Sequence, residues 1–153
     1  MIEHSLGVTV KILDRLLHKS YKRAFLHAGI RLNLDQFAIL KELLNSDDEY
    51  RTQYGIAANI GVDRTALTRT IRLLVKRGLV AKGREELPGC LDKRLVRTGL
   101  TPAGRELTEK AVQIVAEVDK RIWNKEPQAV AWFSKVIARL DAVEAEERAK
   151  QER

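Results

Sequence analysis

Residues 52–78 read TQYGIAANIGVDRTALTRTIRLLVKRG, and this stretch decides the fold. Thr52 can cap a first short helix whose inward positions are Ile56, Ala57 and Ile60. Gly61 stands where the chain must bend sharply between two helices, a position that favours a residue without a Cβ. Asp63 can cap a second helix, which runs to Gly78. On that helix Leu67, Ile71, Leu74 and Val75 recur at i, i+4, i+7 and i+8 and make one apolar face. The opposite face carries Arg64, Thr65, Thr68, Arg69, Arg72 and Lys76. Two short helices joined by a tight turn, the second amphipathic with a polar outer face, describe a helix-turn-helix.

The segment that follows extends the unit. Leu79, Val80 and Ala81 suit a short strand, Pro88 and Gly89 a turn, and Lys93 to Leu100 a returning strand that ends at a helix start, Thr101-Pro102. Lys82, Arg84, Lys93, Arg94 and Arg97 make this hairpin basic. A helix-turn-helix with a basic hairpin behind it is a winged helix, a unit that can lay a helix in the major groove and the hairpin along an adjacent minor groove or phosphate run. Arginine can donate two parallel hydrogen bonds to guanine O6 and N7, and threonine can bond a phosphate or touch a thymine methyl. The same residues on an isolated exposed helix would be ordinary surface groups, so the hairpin carries the argument.

Both flanks read as helix. Leu6, Val10, Leu13 and Leu17 fall on one stripe, while Lys11, Arg15, Lys19, Lys22 and Arg23 lie largely off it and suit a solvated face. Gly29 can end this helix. Asn33 can cap the next one, with Gln36 completing a capping box and Leu34, Phe37, Leu40, Leu43 and Leu44 as its buried face; Asn45-Ser46-Asp47-Asp48 then makes a polar turn. Near the C-terminus Ala111, Val115, Val118 and Ile122 form a seam, and after a break at Pro127 so do Val130, Phe133, Ile137 and Leu140. Glu144 to Arg153 is almost wholly charged. These terminal seams can pack on each other within one subunit or interleave with those of a second copy; periodicity does not separate the two.

The charge distribution agrees with the segment reading. Among 153 residues, 28 Lys and Arg face 21 Asp and Glu, a net charge of +7. Residues 1–50 hold 7 basic and 7 acidic side chains and residues 111–153 hold 8 and 8, whereas residues 51–110 hold 13 and 6. The whole excess lies on the middle segment, as a surface built to meet a polyanion requires. The length suits one domain that buries roughly 70% of its unfolded surface. No apolar run approaches the ~18 residues that read as a membrane span, and Met1 to Val10 lacks the pattern of an export signal, so a cytoplasmic protein is expected. The single cysteine, Cys90, excludes an internal disulfide and has no histidines at metal-ligand spacing, so no metal or other cofactor is expected. No nucleophile–base pair, carboxylate pair or phosphate-cradling loop stands at recognisable spacing, and an enzyme is not expected. An architectural binder of any duplex remains an alternative. An RNA-binding module fits less well, because Tyr54 is the single aromatic in the basic segment.

The order Thr52-Gln53, Ile56-Ala57, Gly61-Val62-Asp63, Leu74, Lys76-Arg77-Gly78-Leu79-Val80, Asp92-Lys93-Arg94 and Leu100-Thr101-Pro102-Ala103-Gly104 resembles the MarR (multiple antibiotic resistance regulator) family. The resemblance covers residues 33–110 by motif and the flanks by pattern. It implies a mainly α fold with a small β-hairpin wing: a winged helix-turn-helix lobe at 33–110 within a single domain of 1–153, with dimerisation helices at 1–29 and 111–148. It implies a bacterial, homodimeric transcriptional regulator, a ligand-responsive repressor by expectation, on a pseudo-palindromic site in double-stranded DNA. Carried over by position, the DNA-binding residues are Thr52, Gln53, Arg64, Thr65, Thr68, Arg69, Arg72, Lys76, Asp92, Lys93 and Arg94. Arg94 would enter a minor groove with its rotamer held by Asp92, although an Asp and Arg two apart can also simply tie a hairpin together. Two departures stand out. Gly55 replaces an acidic residue that often supports the first helix start, so a looser start is expected. The wing between Gly78 and Asp92 is longer than usual and carries Glu85 and Glu86, which repel phosphate.

Regulation is less legible. The family implies an aromatic or phenolic effector held between the dimer helices and the DNA-binding lobe. Arg15, His18, Tyr21 and Trp123, with His27, are weak candidates that also suit ordinary packing or surface roles. Cys90, in the wing beside Asp92, could act as a redox sensor or be an exposed thiol without a role.

Overall fold

Local chemistry starts each helix of the central lobe. The structure, a computed structural model, describes residues 5–45, 51–84, 96–126 and 128–151. Helix α1 spans Leu6–His27 and ends in the positive-φ Gly29. Helix α2 spans Leu34–Leu44 and opens with the expected capping box: the Gln36 amide donates to Asn33 Oδ1 at 2.8 Å, and the Asn33 amide donates to Gln36 Oε1 at 3.2 Å. The buried face of α2 is Gln36, Phe37, Ile39, Leu40 and Leu43; Leu34 and Leu44, read as buried from their spacing, are half-buried. Gln36 tolerates its position because its side-chain oxygen accepts from the Asn33 amide.

A two-residue strand β1 (Arg51–Thr52) leads directly into α3 (Gln53–Ile60), and α4 (Arg64–Lys76) follows. Strand β2 (Val80–Arg84) pairs antiparallel with β3 (Val96–Leu100), with Val80 opposite Leu100 and Lys82 opposite Thr98. Strand β3 also pairs with β1, Arg51 opposite Thr98 and Thr52 opposite Arg97, so the sheet has three strands in the order β1-β3-β2. The hairpin expected from the sequence is present. It gains an edge strand, β1, that no apolar period or turn signal marks. Pro88, Gly89 and Cys90 of the expected turn, the acidic pair Glu85 and Glu86, and Ser46 to Asp48 lie outside the described residues.

The chain divides into two compact units, Met1–Val115 and Ala116–Arg153, with α5 (Pro102–Trp123) running from one into the other. In the first unit α2 packs on α3, α4 and β3, and α4 packs on β2. Phe25 of α1 meets Phe37 of α2 with ring centroids 5.8 Å apart. Phe25, Leu40, Ile56, Ile71 and Leu74 are fully buried, each contributing about 1.5–3 kcal/mol from burial. The α1 seam splits along its length. Tyr21 and Phe25 are buried, Leu13 and Leu17 half-buried, and Leu6 and Val10 remain 58% and 42% exposed.

The second unit holds the end of α5 and α6 (Ala129–Gln151). Phe133 takes Trp123 and Trp132 edge-on, at centroid distances of 6.3 and 5.2 Å. Val130, Trp132, Ile137, Leu140 and Val143 are all exposed, and no described residue of α6 is buried. No helix among the described residues is long and apolar enough to cross a membrane.

The root of the wing is locked by Thr101 and Gly104. The Thr101 hydroxyl donates to the Gly78 carbonyl at 2.7 Å and accepts from the Gly104 amide at 3.0 Å, while the Thr101 amide donates to the Leu79 carbonyl at 3.1 Å. Thr101 thus caps α5 and ties it to the turn after α4. Gly104 packs so closely that a Cβ there would lie 1.9 Å from Leu79 O. Replacing a helix-interior glycine with alanine ordinarily gains up to about 1 kcal/mol. At Gly104 the steric cost of displacing backbone, about 1–3 kcal/mol or more, should win. Urea unfolding of Gly104→Ala is expected to show a lower midpoint than wild type; an unchanged or higher midpoint would count against this packing.

Candidate nucleic-acid interface

The polar face of α4 is presented by the burial of its other side. Leu67, Ile71 and Leu74 are 1%, 0% and 0% exposed. A helix turns its residues by a fixed angle, so sinking these three forces Thr65, Arg69, Arg72 and Lys76 outward, and all four are exposed. Arg64 stands on the side of Leu67 and Ile71 but at the first position of α4, and it too is exposed. Arg64, Thr65, Thr68, Arg69 and Arg72 line one open concavity. Lys76 lies near the C-terminal end of the same helix, outside that lining.

The start of α4 is rigidly set. Asp63 Oδ2 accepts from the amides of Thr65 and Ala66 at 2.9 and 3.0 Å, and Gly61 takes the left-handed conformation at φ 64° that the turn needs. The carboxylate also faces the positive end of the helix dipole. At the other end Gly78 has φ 70°, and the Arg77 guanidinium reaches the buried Gln36 Oε1 at 3.5 Å, a contact between α4's exit and α2 that spacing alone did not suggest.

Helix α3 is joined to this face. Thr52 Oγ1 accepts from the Gly55 amide at 3.2 Å, so the cap forms with glycine at position 55, with no acidic side chain in the first turn to support it. The Thr52 oxygen is therefore used structurally. Asn59 donates to Glu42 Oε1 at 2.6 Å, linking α3 to α2. The Thr68 hydroxyl donates to the Arg64 carbonyl at 2.8 Å and lies 3.2 Å from Gln53 Oε1. Gln53 of α3 thereby joins the α4 cluster through Thr68.

On the hairpin, Lys82 is exposed and Arg97 half-buried. Asp92, Lys93 and Arg94 lie outside the described residues, so the geometry that joins α3 and α4 covers Thr52, Gln53, Arg64, Thr65, Thr68, Arg69 and Arg72 of the expected set. Among the described residues no cluster of three or more His, Cys, Asp or Glu could hold a metal ion.

The effector candidates on α1 are occupied differently. Arg15 is exposed and Tyr21 is buried. His18 bridges two helices: Nδ1 stands 3.0 Å from the Asp14 carbonyl and 3.2 Å from Asp14 Oδ1, and Nε2 stands 3.2 Å from Asp35 Oδ1 of α2. Partial burial pulls the His18 pKa down, but the Asp14 carbonyl, the Asp35 hydrogen bond and the charges of both carboxylates outweigh it and raise the pKa above the ordinary imidazole value. Both ring nitrogens are engaged within the protein. Trp123 lies in the second unit, against Phe133.

A model of the MarR family matches residues 29–89. No curated protein sequence matches the chain. Among solved structures, the Mycobacterium tuberculosis transcriptional regulator MosR in complex with DNA is 28% identical, with a TM-score of 0.76 over 93% of this chain and 98% of that one. Staphylococcus aureus MepR, in a complex with DNA, is 16% identical with a TM-score of 0.75 over 92% and 99% of the two chains. Rhodococcus jostii CouR bound to p-coumaroyl-CoA is 20% identical with a TM-score of 0.70 over 94% of each.

The cap on α4 yields a direct prediction. Loss of an N-cap side chain costs about 1 kcal/mol, within a range of about 0.5–2. Asp63→Ala should therefore lower folding stability by about 1 kcal/mol in denaturant titration, and Asp63→Asn should recover most of it. Equal losses in the two variants would mean that Asp63 acts by charge rather than as a cap.

Proposed function

We propose that the chain is a MarR-family winged-helix protein, a homodimeric repressor that binds a pseudo-palindromic site in double-stranded DNA and answers to a small-molecule effector. MosR is a transcriptional regulator complexed with DNA, and MepR is complexed with DNA. The observation that carries the reading is the α4 face: three arginines and two threonines line one open surface of a helix that buries Leu67, Ile71 and Leu74 behind it. A helix of this kind fits the major groove, and Arg64, Arg69 and Arg72 supply the bidentate donors that guanine accepts. Thr65, Thr68, Lys76, Thr52 and Gln53 complete the proposed contact set on α3 and α4. On the wing, Lys93 and Arg94 would meet phosphate and the minor groove, with Asp92 orienting Arg94.

Two observations support the dimer. The α1 seam continues past its buried half to the exposed Leu6 and Val10, and α6 exposes five large apolar side chains along its length. Apolar helical faces of this extent suit association with a second copy, with 1–29 and 111–148 as the dimerisation regions and 33–110 as the DNA-binding lobe. Two lobes related by a two-fold axis would place their α4 helices about 34–36 Å apart, one turn of duplex, which is why the operator should be an inverted repeat. The effector is proposed to be aromatic or phenolic, as CouR's bound p-coumaroyl-CoA illustrates for this fold. Arg15, His18, Tyr21 and Trp123 are its candidate contacts. Cytoplasmic residence follows from the proposed target.

Fluorescence anisotropy tests this reading. The protein is titrated against the duplex upstream of its own coding sequence and a scrambled duplex of equal length, at several salt concentrations. Binding about 10³-fold or more tighter to the upstream duplex is expected. Arg69→Ala should cost roughly 1–3 kcal/mol on that duplex and less on the scrambled one. Equal affinity for both, with a steep salt slope, would point to an architectural binder or an operator elsewhere.

A further inference from the structure

The contact between α3 and α4 assigns polarity to the proposed interface, and this inference rests on the DNA-binding reading above. Thr68 has one hydroxyl proton and two acceptors for it, the Arg64 carbonyl at 2.8 Å and Gln53 Oε1 at 3.2 Å. The proton is shared between these two acceptors inside the protein. Thr68 therefore has no donor left for a phosphate oxygen, for guanine O6 or N7, or for thymine O4, although its place in the middle of the arginine face made it a candidate reader. Gln53 is affected in the opposite sense. Its carbonyl oxygen is turned toward Thr68, which leaves the amide NH₂ as the group it can offer, and Gln53 is half-buried, so its side chain keeps access to solvent.

We propose that Gln53 donates a hydrogen bond from its amide nitrogen to a DNA phosphate oxygen, and that Thr68 is a positioning residue that holds the Gln53 amide in this orientation. A phosphate is the fitting partner because its oxygens only accept, and because arginines on the adjoining face already draw the backbone in. A donor held by a second side chain loses less freedom on binding than a mobile glutamine would.

The test measures binding by the full-length protein to two probes: a duplex selected from a random pool by the wild type, and an unselected 30-base-pair duplex. A neutral donor's bond to a charged oxygen corresponds to about tenfold or more in affinity. Gln53→Ala should lose about tenfold on both probes without changing the salt slope, because no counterion is released at a neutral side chain. Gln53→Glu keeps the acceptor for Thr68 but replaces the donor with a carboxylate, and it should lose more than Gln53→Ala. Thr68→Val removes the hydroxyl at constant shape and should lose several-fold, whereas Thr68→Ser should restore wild-type binding. In the Gln53→Ala background Thr68→Val should add nothing. Wild-type affinity in Gln53→Glu, failure of Thr68→Ser to restore binding, or additive losses in the double variant would each overturn the inference while leaving DNA binding intact. No binding of the wild type to either probe would overturn it together with the reading it rests on.

Discussion

The burial of Leu67, Ile71 and Leu74 is the constraint on which the proposed function depends. These side chains seat α4 in a lobe built from α2, α3 and the sheet, and their depth leaves the helix no freedom to rotate about its axis. A rotation by one residue would bring arginine toward the core, where an unpaired charge costs far more than any gain in packing. The polar face is thus held in one orientation by apolar packing behind it. The helix ends then set where that face begins and stops: Asp63 at one end, and Gly78 with the Thr101 clamp at the other.

The same clamp couples the wing to the helix. The Gly78 and Leu79 carbonyls both bond Thr101, and Gly104 closes against Leu79 with no space for a Cβ. The exit of α4, the start of β2 and the start of α5 therefore behave as one joint. His18 supplies a second junction, between α1 and α2, made of an imidazole between two carboxylates. On the function proposed above, an effector has to favour one arrangement of such joints over the other.

What the sequence made legible was the chemistry that acts over a few residues. The Asn33–Gln36 box, the Thr52 and Asp63 caps, the bend at Gly61 and the Thr101-Pro102 start all form where their residue types and spacing put them. The apolar period placed Leu67, Ile71 and Leu74 of α4 correctly because helical geometry is local, while Val75, read with them, is half-buried. What it hid depends on distant partners. Strand β1 is two residues long and exists because β3, more than forty residues on, pairs with it. The burial of Gln36, the closeness of Gly104 to Leu79 and the link between Gln53 and Thr68 arise from packing between elements, and no period or motif encodes them. The terminal seams were readable as helices. Their exposed parts, Leu6 and Val10 on α1 and Val130, Trp132, Ile137, Leu140 and Val143 on α6, become visible as apolar surface in the folded chain alone.

The central claim is that α4 lies in the major groove with its arginines on guanine edges, and guanine N7 protection tests it most directly. A duplex selected from a random pool is treated with dimethyl sulfate with and without the protein. Two patches of protected N7, about one helical turn apart, are expected for the wild type, with protection reduced at specific guanines in Arg69→Ala. Tight binding that leaves every N7 as reactive as in free DNA would contradict the account.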